Sequence, residues 1–241
     1  EVIAAANAFN MMQERLRRYV EDRTAMIGAV AHDLRTPLTR LRARLDQLRM
    51  QDTVSPESLD PAVADADQLL HASSALLRLA RIEAQPKIEH EPAVELDALV
   101  RDAMELYEPI AAEREIALNA STQPLQVEGD ADQLFQLMVN LLDNAVKYAP
   151  AGSVVQLELT GIGEAARLVV ADHGAGIPET ERERVFDRFH RLEAHRGTAG
   201  TGLGLSLVRA IAQRHRARVF LEDNRPGLKA VVAFPHSRRR P

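Results

Sequence analysis

Apolar residues recur along the first fifth of the chain at the spacing of a helix that must pack against another helix. The seam runs Phe9, Met12, Leu16, Val20, Ile27, Ala31, Leu34, Leu38, Leu41, Leu45 and Leu48. From Ile27 onward the steps alternate between four and three, a heptad pattern. The two successive steps of four from Met12 to Val20 form a stutter, where a coiled coil changes its winding and two coiled segments meet. "MQDTVSPESLD" breaks the pattern with Pro56 and polar residues, and a second seam follows: Leu59, Val63, Ala66, Leu70, Ser73, Leu77 and Ala80, widened by Leu69 and Leu76. Two helices joined by a short loop cannot bury such wide faces between themselves. Pairing two copies into a four-helix bundle solves the problem, so a homodimer is expected.

The remainder has a different texture. "EAQPKIEHEP" is charged, contains proline and lacks periodicity, which marks a linker. Beyond it a helix near 95–114 precedes the β-type runs "EIALNAS" and "PLQVEG", and a second helix opens at Asp130, a residue suited to an N-cap. Strand candidates "SVVQLELT" and "ARLVVADH", a Gly-rich region, a helix over about 204–215 and strands "ARVFLED" and "KAVVAFP" complete the chain. This reads as a separate α/β domain with helices on one face of a mixed sheet. The fold class is therefore α+β multi-domain: a helical hairpin in a dimeric four-helix bundle, followed by an α/β sandwich.

A net charge of −5 gives no overall pull toward nucleic acid or membrane, and the basic ending "HSRRRP" reads as a solvated tail. The absence of cysteine excludes disulfides and thiolate metal sites. No apolar run approaches the roughly 18 residues that span a bilayer. The helical pattern already runs at Glu1, so a piece of a longer protein is expected.

Several short stretches carry chemistry. In "NLLDNAVKYAP", Asn140, Asn144, Lys147 and Tyr148 fall at i, i+4, i+7 and i+8 and share one helix face, while Leu137, Leu141, Leu142 and Ala145 take the other side. Two amides, an ammonium and a phenol suit a magnesium–triphosphate, in which an amide oxygen ligates the ion and phosphates balance its charge. By itself the pattern also fits an exposed polar face. In "DHGAGIP", Gly174 and Gly176 let backbone approach a flat ligand, and Asp172 can accept a hydrogen bond from an exocyclic amine such as adenine's. "GTGLGLSLV" opens a helix with alternating glycines, an anion site in outline. The G-x-x-x-x-G-K-[ST] phosphate loop is absent. Phe186 and Phe189, three apart between the two Gly segments, read as core rings able to anchor a mobile Gly- and Thr-rich lid.

Within the first seam lies "AHDLRTPLTRL", a helix interrupted by proline one turn after a histidine–acid pair. With this stretch the order of motifs resembles the core of bacterial two-component sensor histidine kinases. "AHDLRTPL" is similar to their H box, "NLLDNAVKYAP" to the N box, "DHGAGIP" to the first glycine box, "FDRFHR" to the F box and "GTGLGL" to the second glycine box, over roughly residues 24 to 235. The resemblance implies the end of a HAMP-like signalling helix over 1–22, a HisKA-type dimerisation and phosphotransfer hairpin over 23–86, a linker over 87–94 and a GHKL-type ATP-binding domain over 95–241. It also implies a whole protein anchored in the inner membrane, of which this is the cytoplasmic part.

The resemblance makes His32 the phosphoacceptor and Asp33 the group that keeps its attacking nitrogen nucleophilic. Because His32 follows the seam residue Ala31, it falls on the flank of the bundle. Pro37 removes a backbone donor and favours a kink, which makes signal-dependent presentation of His32 reasonable. Thr36 corresponds to the residue that positions water for dephosphorylating the regulator. Asn144 becomes the magnesium ligand, with Asn140, Lys147 and Tyr148 around the nucleotide; Asp172 reads adenine beside Gly174 and Gly176. Gly200, Thr201, Gly202, Leu203, Gly204 and Leu205 form the phosphate-facing lid. Two positions depart from the family: His173 stands where asparagine is usual, and "KAVVAFP" lacks the common threonine.

The expected activity is an ATP- and Mg2+-dependent protein-histidine kinase that passes the phosphoryl group to a receiver-domain aspartate and also acts as a phosphatase. Nucleic acid is not an expected partner. Arg40, Arg42 and Arg44 are either part of the receiver-docking surface or a solvated basic face. The rival readings are a non-kinase ATP-dependent clamp or chaperone of the same nucleotide fold, which has no use for "HDLRTP", and a degenerate nucleotide-binding scaffold.

Overall fold

The computed structural model describes residues 38–50, 55–84, 92–192, 200–235 and 238–239, with the single positions 13 and 35. His32, Asp33 and Thr36 lie outside the described residues. The chain divides into two compact units, Glu1–Leu76 and Leu77–Pro241.

In the first unit, helix α1 covers residues 38–49, and helix α2 (Pro56–Ala84) begins. Ala62, Ala72, Leu76 and Leu48 are buried, whereas the seam residues Leu38, Leu45, Leu59, Val63 and Leu70 remain exposed. The hairpin thus consumes one apolar line and leaves a second uncovered. Asp65, only 7% exposed, sits on the buried line and accepts ion pairs from Arg40 (3.0 Å) and Arg44 (3.1 Å). Arg40 also donates to Gln68. Two of the three arginines expected on a docking or solvated face are therefore paired within the hairpin, Arg40 while still half-exposed; Arg42 stays outward beside Asp46.

The second unit is built on a five-stranded sheet. Its strands are β2 (Ala117–Thr122), β4 (Val154–Ile162), β5 (Ala165–Ala171), β6 (Arg218–Asp223) and β7 (Leu228–Phe234), in the order β2-β4-β5-β7-β6. β2 runs parallel to β4 and every other neighbour pair is antiparallel. Strict alternation in β4 sends Val155, Leu157 and Leu159 into the core while Gln156 and Glu158 stay exposed, as a sheet covered on one face requires. Helices α3 (Leu96–Ala112), α4 (Ala131–Tyr148) and α5 (Gly204–Arg214) supply the cover.

A small second sheet joins β1 (Ala93–Glu95), β3 (Leu125–Glu128) and β8 (Arg238–Arg239). The basic C-terminal run is therefore not wholly a solvated tail, because Arg238 and Arg239 pair with Gln126 and Leu125. Backbone pairing is indifferent to side-chain charge at a sheet edge.

Two contacts set the helices that carry the site. Asp130 caps α4, its carboxylate accepting from Gln133 N at 3.1 Å. His215, at the end of α5, donates through Nδ1 to the Ile211 carbonyl (2.8 Å), and its Nε2 accepts the Asp130 N–H (3.0 Å). One neutral imidazole thus joins the end of α5 to the start of α4.

Candidate nucleotide site

Helix α4 buries Leu134, Leu137, Met138, Leu141, Leu142, Ala145 and Val146, which leaves Asn140, Asn144, Lys147 and Tyr148 half-buried on its other side. Asn140 Nδ2 donates to the Gln136 carbonyl at 2.8 Å. The Asn144 Nδ2 is buried with no hydrogen-bond partner. An orphaned amide donor costs stability in a core and is tolerated where a ligand completes it. Burial lowers the Lys147 ammonium below its ordinary value, against the opposing pull of Asp143. Burial likewise raises the Tyr148 phenol, and the Lys147 Nζ stands 5.2 Å from the Tyr148 ring centre.

The start of α5 faces these groups. Side chains give α5 no N-terminal cap, so its first N–H groups are left for another acceptor. A Cβ built on Gly204 would stand 3.6 Å from Asn140 Oδ1 and 3.7 Å from Asn144 Nδ2, so the missing side chain keeps a gap open between the helices. Lys147 Nζ lies where a side chain on Gly200 would stand.

The glycine segment is stitched to the F-box residues. Arg191 donates to the Gly200 carbonyl at 3.0 Å, and Phe189 N donates to the Gly202 carbonyl at 3.0 Å. Gly202 has φ +72, a conformation side chains rarely adopt, and a Cβ there would press on the Phe189 backbone at 2.9 Å. Thr201 Oγ1 accepts from Leu203 N; Leu203 is buried, and Leu205 packs against the core. Phe186 is buried with Arg209 over its ring at 4.4 Å, as a core anchor.

At the end of β5, Asp172 is 7% exposed. Its Oδ1 accepts the Gly174 N–H at 2.7 Å. Burial pushes the carboxyl above its ordinary value, while the N–H groups around it pull it down. Gly174 lies so close to Tyr148 that a Cβ would sit 2.5 Å from that residue's carbonyl oxygen, which brings the loop after β5 against the end of α4. Gly176 has φ +71 and faces the Gly227 carbonyl. His173, the family departure, is exposed and donates through Nδ1 to the Val154 carbonyl at 2.9 Å.

Every described residue expected in the nucleotide site thus lies on α4, in the loop after β5, or in the segment opening α5. The donor set fits a magnesium–triphosphate: an orphaned amide, a second amide beside it, a cation and uncapped helix N–H groups. Among the described residues no group of three or more His, Cys, Asp or Glu side chains could hold a metal ion. A divalent ion here needs phosphate oxygens beside any amide ligand.

The two halves of the chain match different families. Residues 129–238 match the histidine kinase-, DNA gyrase B- and HSP90-like ATPase family. Residues 22–85 match the His Kinase A (phospho-acceptor) domain family. The chain belongs to the sensor histidine kinases. It is 32% identical over 238 residues to the signal transduction histidine-protein kinase/phosphatase MprB of Mycobacterium avium (strain 104), covering 94% of this chain and 45% of that protein. The chain thus spans less than half the length of that curated relative. The solved mycobacterial sensor histidine kinase MprB is 30% identical with a TM-score of 0.55, over 63% of this chain and 99% of that one. Histidine kinase ThkA, solved in complex with response regulator protein TrrA, shares the fold at a TM-score of 0.71 and 21% identity, over 88% of this chain and 61% of that one.

Sequence reasoning missed several supports of this candidate site. Tyr107 is buried and donates to Asp143 Oδ1 at 3.2 Å; burial, then the Asp143 charge, raises its phenol well above the ordinary value. Asn224 Nδ2 donates to the Asp172 carbonyl at 2.7 Å, and a Cβ on Gly227 would collide with the same carbonyl. Only the Pro-Gly pair at 226–227 carries a local signal, and it marks a turn without naming the turn's partner.

Proposed function

We propose that the chain is the core of an ATP-dependent protein-histidine kinase that phosphorylates His32, passes the phosphoryl group to a response-regulator aspartate and dephosphorylates that regulator. The observation that carries the reading is the meeting of Asn144, Asn140 and Lys147 with the uncapped start of α5 across the gap at Gly204. Asn144 would hold Mg2+ together with the phosphates, and Mg2+ would neutralise charge on the transferring group. Lys147 and the α5 N–H groups would hold the outer phosphates. Asp172 would accept from the adenine amine through Oδ2, since its Oδ1 is taken by Gly174.

In the transfer, a neutral imidazole nitrogen of His32 forms the P–N bond as the bond to the ADP oxygen breaks, and Asp33 accepts the ring proton. Thr36 would orient a water that attacks the regulator's acyl phosphate, releasing inorganic phosphate and the aspartate carboxylate. The exposed seams of α1 and α2 support a homodimer. Functionally the chain divides at the positions the family resemblance implies: hairpin 23–86, linker 87–94 and ATP domain 95–241, preceded by a HAMP-like helix end over 1–22. No helix among the described residues is long and apolar enough to cross a membrane. Membrane anchoring of the whole protein, as in a sensor kinase with an external sensor, is part of the same proposal.

The test is incubation with γ-labelled ATP and magnesium. The expected product is a phosphoprotein labile in acid and stable in base, lost in His32→Gln while nucleotide binding persists. Label that survives His32→Gln refutes the assignment.

A further inference from the structure

The loop that would read the base is held in place by a turn far along the chain. Asp172 is anchored through its main chain on both sides: its N–H donates to the Leu228 carbonyl at 2.9 Å, and its C=O accepts from Asn224 Nδ2 at 2.7 Å. Asn224 lies in the turn between β6 and β7, and Leu228 opens β7 directly after it. Asn224 N donates to the Gly227 carbonyl at 3.1 Å and fixes the shape of that turn. Gly227 has φ +114, and a Cβ there would collide with the Asp172 carbonyl and stand 2.8 Å from His173 Cα. The Gly227 carbonyl in turn faces Gly176 at 3.0 Å from a built Cβ. The turn therefore touches Asp172, His173 and Gly176.

We infer that Asn224 is a positioning residue for base selectivity: by holding the Asp172 peptide it aims the Asp172 carboxylate at an exocyclic amine of the bound purine. The inference rests on the proposed reading of Asp172 as the adenine contact. Its physical basis is a chain of fixed torsions. With the 172–173 peptide pinned by Asn224, Gly174 N–H lies where Oδ1 accepts it, and Oδ2 points in one direction only. Removing the Asn224 donor leaves the Asp172 carbonyl without that partner, frees the peptide to rotate, and turns Gly174 N–H and the carboxylate together. Asn224 does not itself need to touch the nucleotide.

The experiment measures dissociation constants of the 241-residue chain for ATP and for purine riboside triphosphate, which lacks only the 6-amino group. Wild type, Asn224→Ala and Asn224→Asp are compared, the last keeping the shape while replacing the donating amide by an acceptor. Wild type should prefer ATP, and both variants should lose that preference by about tenfold, with little change for the amine-free analogue. Variants that bind both nucleotides more weakly by the same factor make Asn224 merely structural and overturn the inference, leaving the Asp172 reading intact. So does loss of the melting transition in both variants, which marks a folding residue. A wild-type chain with no preference for ATP overturns the Asp172 reading and this inference with it.

Discussion

The gap at Gly204 gives a substitution whose effects on folding and on binding have opposite signs. Gly204 opens α5, and its φ is not in the left-handed region, so alanine fits the backbone. The added methyl would meet Asn140 Oδ1 at 3.6 Å and Asn144 Nδ2 at 3.7 Å, ordinary van der Waals contact. Replacing glycine by alanine in a helix stabilises by roughly 0.5–1 kcal/mol, and the first helical position realises at most that. In a chain of this size the gain raises the melting temperature by about 1–4 °C. On the proposed reading, the same methyl would occupy the space through which the outer phosphates reach Asn144 and the α5 N–H groups. Forcing ligand and methyl into one gap costs about 1–3 kcal/mol on the scale of overpacked cores, or roughly 5- to 150-fold in affinity.

The assay pairs a thermal melt of Gly204→Ala with titration of ATP and of AMP, each with magnesium. ATP affinity should fall within that range while AMP, which lacks both outer phosphates, loses much less and the melt moves upward. An unchanged ATP affinity would show that the phosphates do not pass between α4 and α5. A lowered melting temperature would show that the backbone there demands glycine, contrary to the geometry.

Lys147 makes a pH prediction. Burial depresses its ammonium from the ordinary value of 10.5, and bound phosphates would restore it, so above the depressed value binding takes up a proton and ATP affinity falls as pH rises. Calorimetry in alkaline buffers of different ionisation enthalpy should register that uptake in wild type and not in Lys147→Met. Thr36→Ala should lose most phosphatase activity toward the regulator while autophosphorylation stays within a few-fold of wild type; equal loss of both activities would make Thr36 a packing residue instead.

What could be read from the sequence, and what could not, follows from the range of the interactions. The shared side of Asn140, Asn144, Lys147 and Tyr148 on α4 is legible because helix periodicity alone puts positions i, i+4, i+7 and i+8 together, with the apolar residues on the other side. The Asp130 cap is a contact three residues long. Asn224, by contrast, acts on a carbonyl 52 residues away, and nothing near it in the chain points there. Tyr107 finds Asp143 across 36 residues in the same way. The Arg40–Asp65–Arg44 cluster was half legible: an acid on the apolar side of α2 needs a cation, and the spacing of Arg40 and Arg44 places them on one face. Choosing that partner over an external acidic surface required the hairpin's register.

The departure at His173 illustrates how such a fold absorbs a change at its binding loop. The imidazole does not point its Nδ1 at the loop's interior; it donates to the Val154 carbonyl at the start of β4. That contact braces the loop from the side opposite the Asn224 turn, so the peptide between Asp172 and His173 is held by a side chain at each end. A histidine here costs the site nothing at Asp172, whose own contacts come from Gly174, Leu228 and Asn224. The selectivity of this site therefore depends less on the residue after Asp172 than on the turn behind it. Relatives that keep the aspartate and the glycines but alter that turn should differ in how well they reject other purines.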